Sequence, residues 1–267
     1  MAIKLLALDI DETLVHDVHC ISEANRRAVA RAQARGVFVT VATGRGFRAS
    51  ERIWRAIGVE GPVITYGGAI VRHTVTRELL FASRIGDDVA HELLAYAHER
   101  GYHAHVYDGD TVVTQADHPY ARAYTQLLDI PLRIEPDIGK LHFDTVPKLL
   151  YMVEPEAVED VIREVTPIVA GRLKISKSSP GFVEFNHPDA HKGAALRFLA
   201  EHMGLAYKEV AAIGDNTLDL EMLQWAGVSA AMGNAAEAVK AAAKVVAPNC
   251  RDDGVAWFID NYVLKGG

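Results

Sequence analysis

The sequence predicts an α/β protein, a doubly wound parallel sheet interrupted by an inserted α+β domain. Three features point there. Short apolar runs alternate with amphipathic stretches through the first third of the chain. The same alternation returns after His187. Between the two stretches the rhythm gives way to hairpin signals and isolated helices.

Ile3 to Leu8 is a nearly continuous apolar run, as a strand buried on both faces requires. Ser22 can cap a helix over Asn25 to Ala34, and Gly36 ends it. Val37 to Ala42 reads as a second buried strand. A helix from Phe47 to Ile57 stops at Gly58, and Pro62 to Thr65 is a third strand. Strand, helix, strand, helix, strand argues for a parallel sheet with right-handed crossovers.

Ala69 to Val75 and Glu78 to Ala82 then suggest a hairpin, and Val89 to Arg100 a helix ended by Gly101. His103 to Tyr107 and Thr111 to Gln115 flank an Asp108-Gly109 turn. Lys148 to Val153, Leu173 to Ser176 and Phe182 to Phe185 are strand-like, and Pro155 to Val165 helical. After the return, Asp189 is expected to cap a helix running to Met203, with Gly204 as its stop. Val210 to Ile213, Val228 to Met232 and Val245-Val246 read as strands. Leu218 to Trp225, Ala235 to Ala243 and Gly254 to Tyr262 read as helices. These elements place a core over residues 1–83 and 189–267, with 84–188 inserted in it.

Composition agrees with a folded domain. Of 267 residues 49% are hydrophobic, 24% charged and 7% aromatic, which excludes disordered, collagenous and coiled-coil chains. The net charge is -7, and no basic run offers a footprint for nucleic acid. Two distant cysteines, Cys20 and Cys250, make no disulfide framework and suit a reducing compartment. The apolar run at the start is too short for a signal-peptide core, and no stretch approaches the ~20 apolar residues that span a bilayer. The expectation is a soluble cytoplasmic protein, a monomer or small homo-oligomer, with no nucleic-acid or membrane partner.

In open parallel sheets ligands bind beyond the carboxyl ends of the strands. Asp9-Ile10-Asp11 follows the first strand, and residues two apart share a side. Thr43-Gly44-Arg45 follows the second. Gly214-Asp215-Asn216-Thr217-Leu218-Asp219 follows the Val210 strand, and Lys192 opens the helix after the insert. Asp9, Asp11, Asp215 and Asp219 would converge on one crevice. Packed carboxylates raise each other's pKa unless a cation compensates, and a hard divalent ion such as Mg²⁺ does so with oxygen ligands. Lys192 in a first helical turn opposes the helix dipole by ~0.3–1 kcal/mol, a placement that makes sense where it faces an anion. Thr43 and neighbouring backbone N–H groups can donate to phosphate oxygens. The set suggests phosphoryl transfer to an aspartate, with a second carboxylate as acid and then base.

These residues resemble the haloacid dehalogenase superfamily, and within it the Cof-like phosphatases with a large α/β cap. The likeness spans the whole chain. Asp-x-Asp-x-Thr matches Asp9, Asp11 and Thr13; the Thr of ATGR matches Thr43; the family lysine matches Lys192; and Gly214, Asp215, Asp219 and Met222 match a fourth motif. Ala231-Met232-Gly233-Asn234-Ala235 is similar to a further signature. One such motif is weak evidence, whereas five in order are strong. The resemblance implies a Rossmann-like core, an aspartyl-phosphate mechanism and a small phosphorylated metabolite as substrate (a sugar, nucleotide-related or cofactor phosphate). It implies Asp9 as nucleophile and Asp11 as general acid/base. Mg²⁺ would sit on Asp9, the Asp11 carbonyl and Asp215, with Asp219 holding the metal or its waters. Thr43, Gly44 and Lys192 would hold the phosphate, and the cap would select the leaving group. Arg45 reads equally as a phosphate contact or a structural ion pair. Asn186 and His187, at the return to the core, are candidate substrate contacts. Three positions depart from the family: Glu12 replaces Gly, Leu218 replaces Asn, where Asn216 stands nearby as a substitute, and Gly67-Gly68 replaces Asn-Gly.

Two rivals keep the same residues: a phosphotransferase or phosphomutase that passes the phosphoryl group to an alcohol, and a phospho-ligand binder with weak turnover. A dinucleotide-binding protein fails, because Asp9-Ile10-Asp11 stands where its Gly-rich turn belongs. Taken singly, Asp219 and Asn216 read as helix caps. His16 and His19 beside Cys20 fit no common zinc spacing. His98, His103 and His105 read as surface residues.

Overall fold

A computed structural model describes residues 2–17, 20–143, 145–177 and 179–265. His19 lies outside them. The chain divides into two compact units, Met1–Phe81 with His191–Gly267, and Ala82–Ala190.

The first unit opens with β1 (Leu5–Leu8), α1 (Glu23–Ala34), β2 (Phe38–Val41), α2 (Phe47–Ala56), β3 (Pro62–Thr65), β4 (Ile70–His73) and β5 (Leu79–Ala82). Ser22 caps α1 by accepting from the Asn25 N–H, as its residue type predicts. The third strand departs from expectation. It meets the parallel sheet through a single bridge, Ala42 to Ile64, and then pairs antiparallel with β4 in a separate sheet of order β3-β4-β5. A tight Tyr66-Gly67-Gly68 turn returns the chain at once, so β4 takes the hydrogen bonds a further parallel partner would have used.

The second unit runs through α3 (Asp87–Arg100), β6 (His103–Asp108), β7 (Thr111–Thr114), α4 (Pro119–Leu128), β8 (Leu132–Ile134), β9 (Leu149–Met152), α5 (Val158–Val169), β10 (Lys174–Ser176) and β11 (Phe182–Asn186). Its sheet has the order β10-β11-β9-β6-β7-β8. The β6–β7 turn is shifted by one residue from expectation. Asp108 pairs with Thr111, so Gly109 and Asp110 form the turn, with Gly109 at φ +59°. Val106, Leu149, Tyr151, Val183 and Phe185 pack on one side of this sheet with α3 and α5.

His103 and His105 correct the sequence reading. β6 is flanked by β7 and β9, and the two imidazoles are buried, His105 completely. The unforeseen helix α4 brings the Tyr124 ring centroid to 5.4 Å from that of His105. Burial holds both imidazoles below their usual range, His103 at about 4 with help from His118. His98 is exposed, as expected.

The chain returns through α6 (Lys192–His202), β12 (Val210–Gly214), α7 (Leu220–Trp225), β13 (Val228–Ala231), α8 (Glu237–Ala242), β14 (Val245–Val246) and α9 (Gly254–Phe258). The cap of α6 is His191, whose Nδ1 accepts from the Ala194 N–H, and not Asp189. The five-stranded sheet has the order β14-β13-β12-β1-β2, parallel throughout. Alternation along its central strands builds two layers. Leu6, Leu8, Ala211 and Ile213 pack with α1, α2 and α9, while Leu5, Ala7, Val210 and Ala212 pack with α6, α7 and α8. β1 is therefore buried along its whole length, which is why it reads as a continuous apolar run. Among the described residues no helix is long and apolar enough to cross a membrane.

Candidate active site

β1 and β12 are neighbours in register, Leu8 opposite Ile213, so their ends deliver Asp9 and the Gly214-Asp215 turn side by side. The Asp9 N–H donates to the Ile213 carbonyl at 3.0 Å, tying the two ends together. Lys192, the first residue of α6, enters from one layer. Its Nζ donates to Asp9 Oδ1 and to Asp219 Oδ1, at 2.6 Å each, and all three side chains are buried. Burial of the ammonium pulls its pKa down, but the charges and hydrogen bonds of Asp219 and Asp9 together outweigh it, so the Lys192 pKa stands above its ordinary value.

Asp219 is fully buried and its oxygens are occupied. Oδ1 takes Lys192, and Oδ2 accepts the backbone N–H groups of Asp215 and Asn216, at 3.1 and 3.0 Å. Asp219 thus fixes both the lysine and the loop that carries Asp215. Thr13 Oγ1 donates to Asp215 Oδ1 at 3.0 Å. Burial and the Asp219 charge push the Asp215 carboxyl up to about 6. Asp9 is also raised, by burial first, against the pull of Lys192 and with the push of Asp219 and Asp215.

The carboxylate oxygens of Asp9, Asp215 and Asp219 approach within 4.8 Å of one another. Hard oxygen donors at this spacing, two of them raised by burial and by neighbouring carboxylates, fit a hard divalent cation. Because Asp219 already accepts three hydrogen bonds, Asp9 and Asp215 are the better placed to face it.

Thr43 is buried at the end of β2, and its Oγ1 accepts the Arg45 N–H at 3.1 Å. Gly44 is half-exposed, with no atom within 4 Å of where a Cβ would stand, so an anion can approach its backbone. Arg45 and Asp11 meet as an ion pair. Nε lies 3.0 Å from Oδ2 and Nη2 2.5 Å from Oδ1.

Asn216, near Leu218, caps the Thr217–Asp219 turn, with Oδ1 accepting from the Leu218 N–H and the Thr217 hydroxyl. Asn186 and His187 belong to the inserted unit. Asn186 is buried with Nδ2 donating to the Pro147 carbonyl, and His187 is half-exposed, its Nδ1 accepting from the Asp189 N–H.

Sequence reasoning missed a clamp. Asn234 Nδ2 donates to the Glu12 carbonyl and its Oδ1 accepts the Cys250 N–H, each at 2.9 Å, holding the loop after β1. The Gly233-Asn234 signature was its signal. Glu12 adopts φ +56°, a left-handed conformation, which explains why a glycine belongs there.

The model of the haloacid dehalogenase-like hydrolase family matches residues 6–259. The chain belongs to the haloacid dehalogenase-like hydrolases. YxeH of Bacillus subtilis, which carries a phosphatase name, is 33% identical over 98% of both chains. An HMP-PP phosphatase of Cronobacter sakazakii is 29% identical over 87% of this chain and 85% of its own. A haloacid dehalogenase-like hydrolase from Bacteroides thetaiotaomicron superposes with a TM-score of 0.89 at 29% identity, covering 97% of this chain and 98% of that one. The chain is thus an enzyme, a hydrolase of this family.

Within the family site Gly68 has a steric duty. At φ +102°, a Cβ there would stand 2.3 Å from the His191 carbonyl carbon and oxygen and 2.7 Å from the Lys192 nitrogen. Gly68→Ala is therefore expected to push the start of α6, and Lys192 with it, away from Asp9. A loss of ~2–4 kcal/mol in urea unfolding is expected, with at least a tenfold fall in turnover. Wild-type stability in the variant would show that this contact does not set the lysine.

Proposed function

We propose that the chain is a phosphatase acting on small phosphomonoesters, such as sugar, nucleotide-related or cofactor phosphates, through an aspartyl-phosphate on Asp9. The observation that carries this reading is Lys192 Nζ bridging Asp9 and Asp219 at 2.6 Å beside Asp215. A carboxylate held against an ammonium beside further acidic groups suits an anionic substrate that arrives with compensating charge. The phosphatase names of the relatives point the same way.

Asp9 would attack the phosphorus, with Thr43, the Gly44 backbone and Lys192 holding the phosphate oxygens. The carboxyl of Asp11 would give its proton to the departing oxygen, and then take one from the water that cleaves the aspartyl-phosphate. Asp9, Asp215 and the Asp11 carbonyl would hold Mg²⁺, with Asp219 behind them fixing Lys192. Bound there, Mg²⁺ supplies positive charge against the phosphate oxygens. The inserted unit is the proposed selector of the leaving group, with Asn186 and His187 as contacts to be tested by substitution.

The test is phosphate release from a panel of phosphorylated sugars, nucleotides and cofactors, with Mg²⁺ or chelator and with or without an acceptor alcohol. Mg²⁺-dependent release supports the reading. Transfer to the alcohol in place of release would make the protein a phosphotransferase, and tight binding without release a phospho-ligand binder.

The raised carboxyls add a second check. Asp215 at about 6 holds its proton more tightly folded than unfolded, so its contribution to stability is full below about pH 4 and lost as pH rises through 6. A cation must displace that proton. The stabilisation given by saturating Mg²⁺ is therefore expected to be ~1 kcal/mol smaller at pH 5 than at pH 8, a few degrees of melting temperature. The buried imidazoles of the insert act in the opposite sense, and comparing each pH with and without Mg²⁺ cancels them. An Mg²⁺-induced shift that is the same at both pH values would remove Asp215 and Asp9 as its ligands.

A further inference from the structure

Arg45 and Asp11 are unequal partners. The guanidinium side chain is 8% exposed, whereas the Asp11 side chain is 56% exposed. Arg45 is also fixed at its backbone, where its N–H donates to Thr43 Oγ1 and its carbonyl accepts the Tyr66 N–H at 2.9 Å. The buried arginine is thus the anchor, and the exposed carboxylate is what it aims. Its fork takes both Asp11 oxygens, a planar match that a lysine cannot make. Stability alone accounts poorly for this. An exposed ion pair contributes ~0–1 kcal/mol, while withdrawing a guanidinium from water costs more.

Resting on the phosphatase reading above, we infer that Arg45 is a positioning residue for proton transfer: it aims the Asp11 carboxyl at the leaving-group oxygen. With both oxygens taken by Arg45, the geometry is that of the Asp11 carboxylate, the form left once the leaving group has its proton. In the first half-reaction the Asp9–phosphorus bond forms, the phosphorus–oxygen bond to the leaving group breaks, and the proton passes from one Asp11 oxygen to that departing oxygen. Arg45 keeps the other oxygen and with it the direction of the carboxyl. In the second half-reaction water takes the phosphorus from Asp9, and its proton returns to Asp11.

The inference separates Arg45 from a plain phosphate contact through the leaving group. A nitrophenolate departs without a proton, whereas an alkoxide needs one. Single-turnover release of the leaving group is measured from a primary alkyl phosphate and from p-nitrophenyl phosphate, for wild type, Arg45→Met, Arg45→Lys and Asp11→Asn. Arg45→Met is expected to lose ~10²-fold on the alkyl ester and no more than a few-fold on the nitrophenyl ester. Arg45→Lys should fall between, and Asp11→Asn should show the same split. Equal losses on both esters, or no loss on either, would overturn the inference while wild-type turnover still upholds the phosphatase reading. A wild type that releases neither leaving group overturns both. Arg45→Lys keeps the charge, so it carries the comparison if Arg45→Met fails to fold.

Discussion

Asp9→Asn is expected to lower phosphate release by ~10⁴-fold or more and to leave the fold in place. A carboxamide oxygen is a poor nucleophile, and loss of a nucleophile removes the covalent route entirely. The substitution is close to isosteric, and it keeps an oxygen able to accept from Lys192, 2.6 Å from Asp9 Oδ1. It also takes one negative charge from a group in which burial, Asp219 and Asp215 all push the Asp9 carboxyl upward. Stability should therefore hold or rise slightly, with a melting temperature within a few degrees of wild type. Two measurements read the result. Phosphate release gives the rate, and the mass of acid-quenched enzyme shows whether a phosphoryl group is trapped on wild type and not on the variant. An Asn variant within tenfold of wild type would remove Asp9 from the role of nucleophile.

The acidic cluster was legible in the sequence because parallel strands advertise their ends. β1 is buried on both faces, so Leu5 to Leu8 reads as one apolar run and Asp9 stands out as the first polar residue beyond it. The same logic finds Asp215 beyond β12. What the sequence did not show are pairings between distant side chains. Arg45 and Asp11 lie 34 positions apart, and nothing in their spacing says that one buried fork takes both oxygens of the other. Asp219 reads as a cap when taken alone, but it makes no cap bond to α7: one oxygen reaches back to the N–H groups of Asp215 and Asn216, and the other holds Lys192. The inserted unit was harder for a different reason. The apolar positions of α4, Tyr120, Ala121, Tyr124, Leu127 and Leu128, fall at helical spacing but span only ten residues, and Leu127 is exposed, so the pattern is short and does not mark a buried face. Without α4, His103 and His105 looked like surface residues on an alternating strand.

Lys192→Met should destabilise the protein more than any other single change near the site. Nζ is the cation shared by two buried carboxylates, Asp9 and Asp219, and methionine leaves both without it. Breaking a buried pair from the cationic side costs ~3–5 kcal/mol, about 10 °C in melting temperature for a chain of this size. Turnover should fall by ~10³-fold, since the same ammonium would face the phosphate. Two further observations separate charge from mere packing. Adding Asp219→Asn to Lys192→Met removes one of the stranded charges and should recover ~1–2 kcal/mol of stability without recovering activity. The loss should also shrink toward acid pH. Asp9 is already raised with Lys192 present, by burial and by its carboxylate neighbours, and without the lysine it is raised further, so protonation relieves more of the repulsion with Asp219 as the pH falls from 8 to 5. A stability loss that is the same at both pH values, and untouched by Asp219→Asn, would mean that Lys192 fills space between α6 and β1 and does not neutralise the acids.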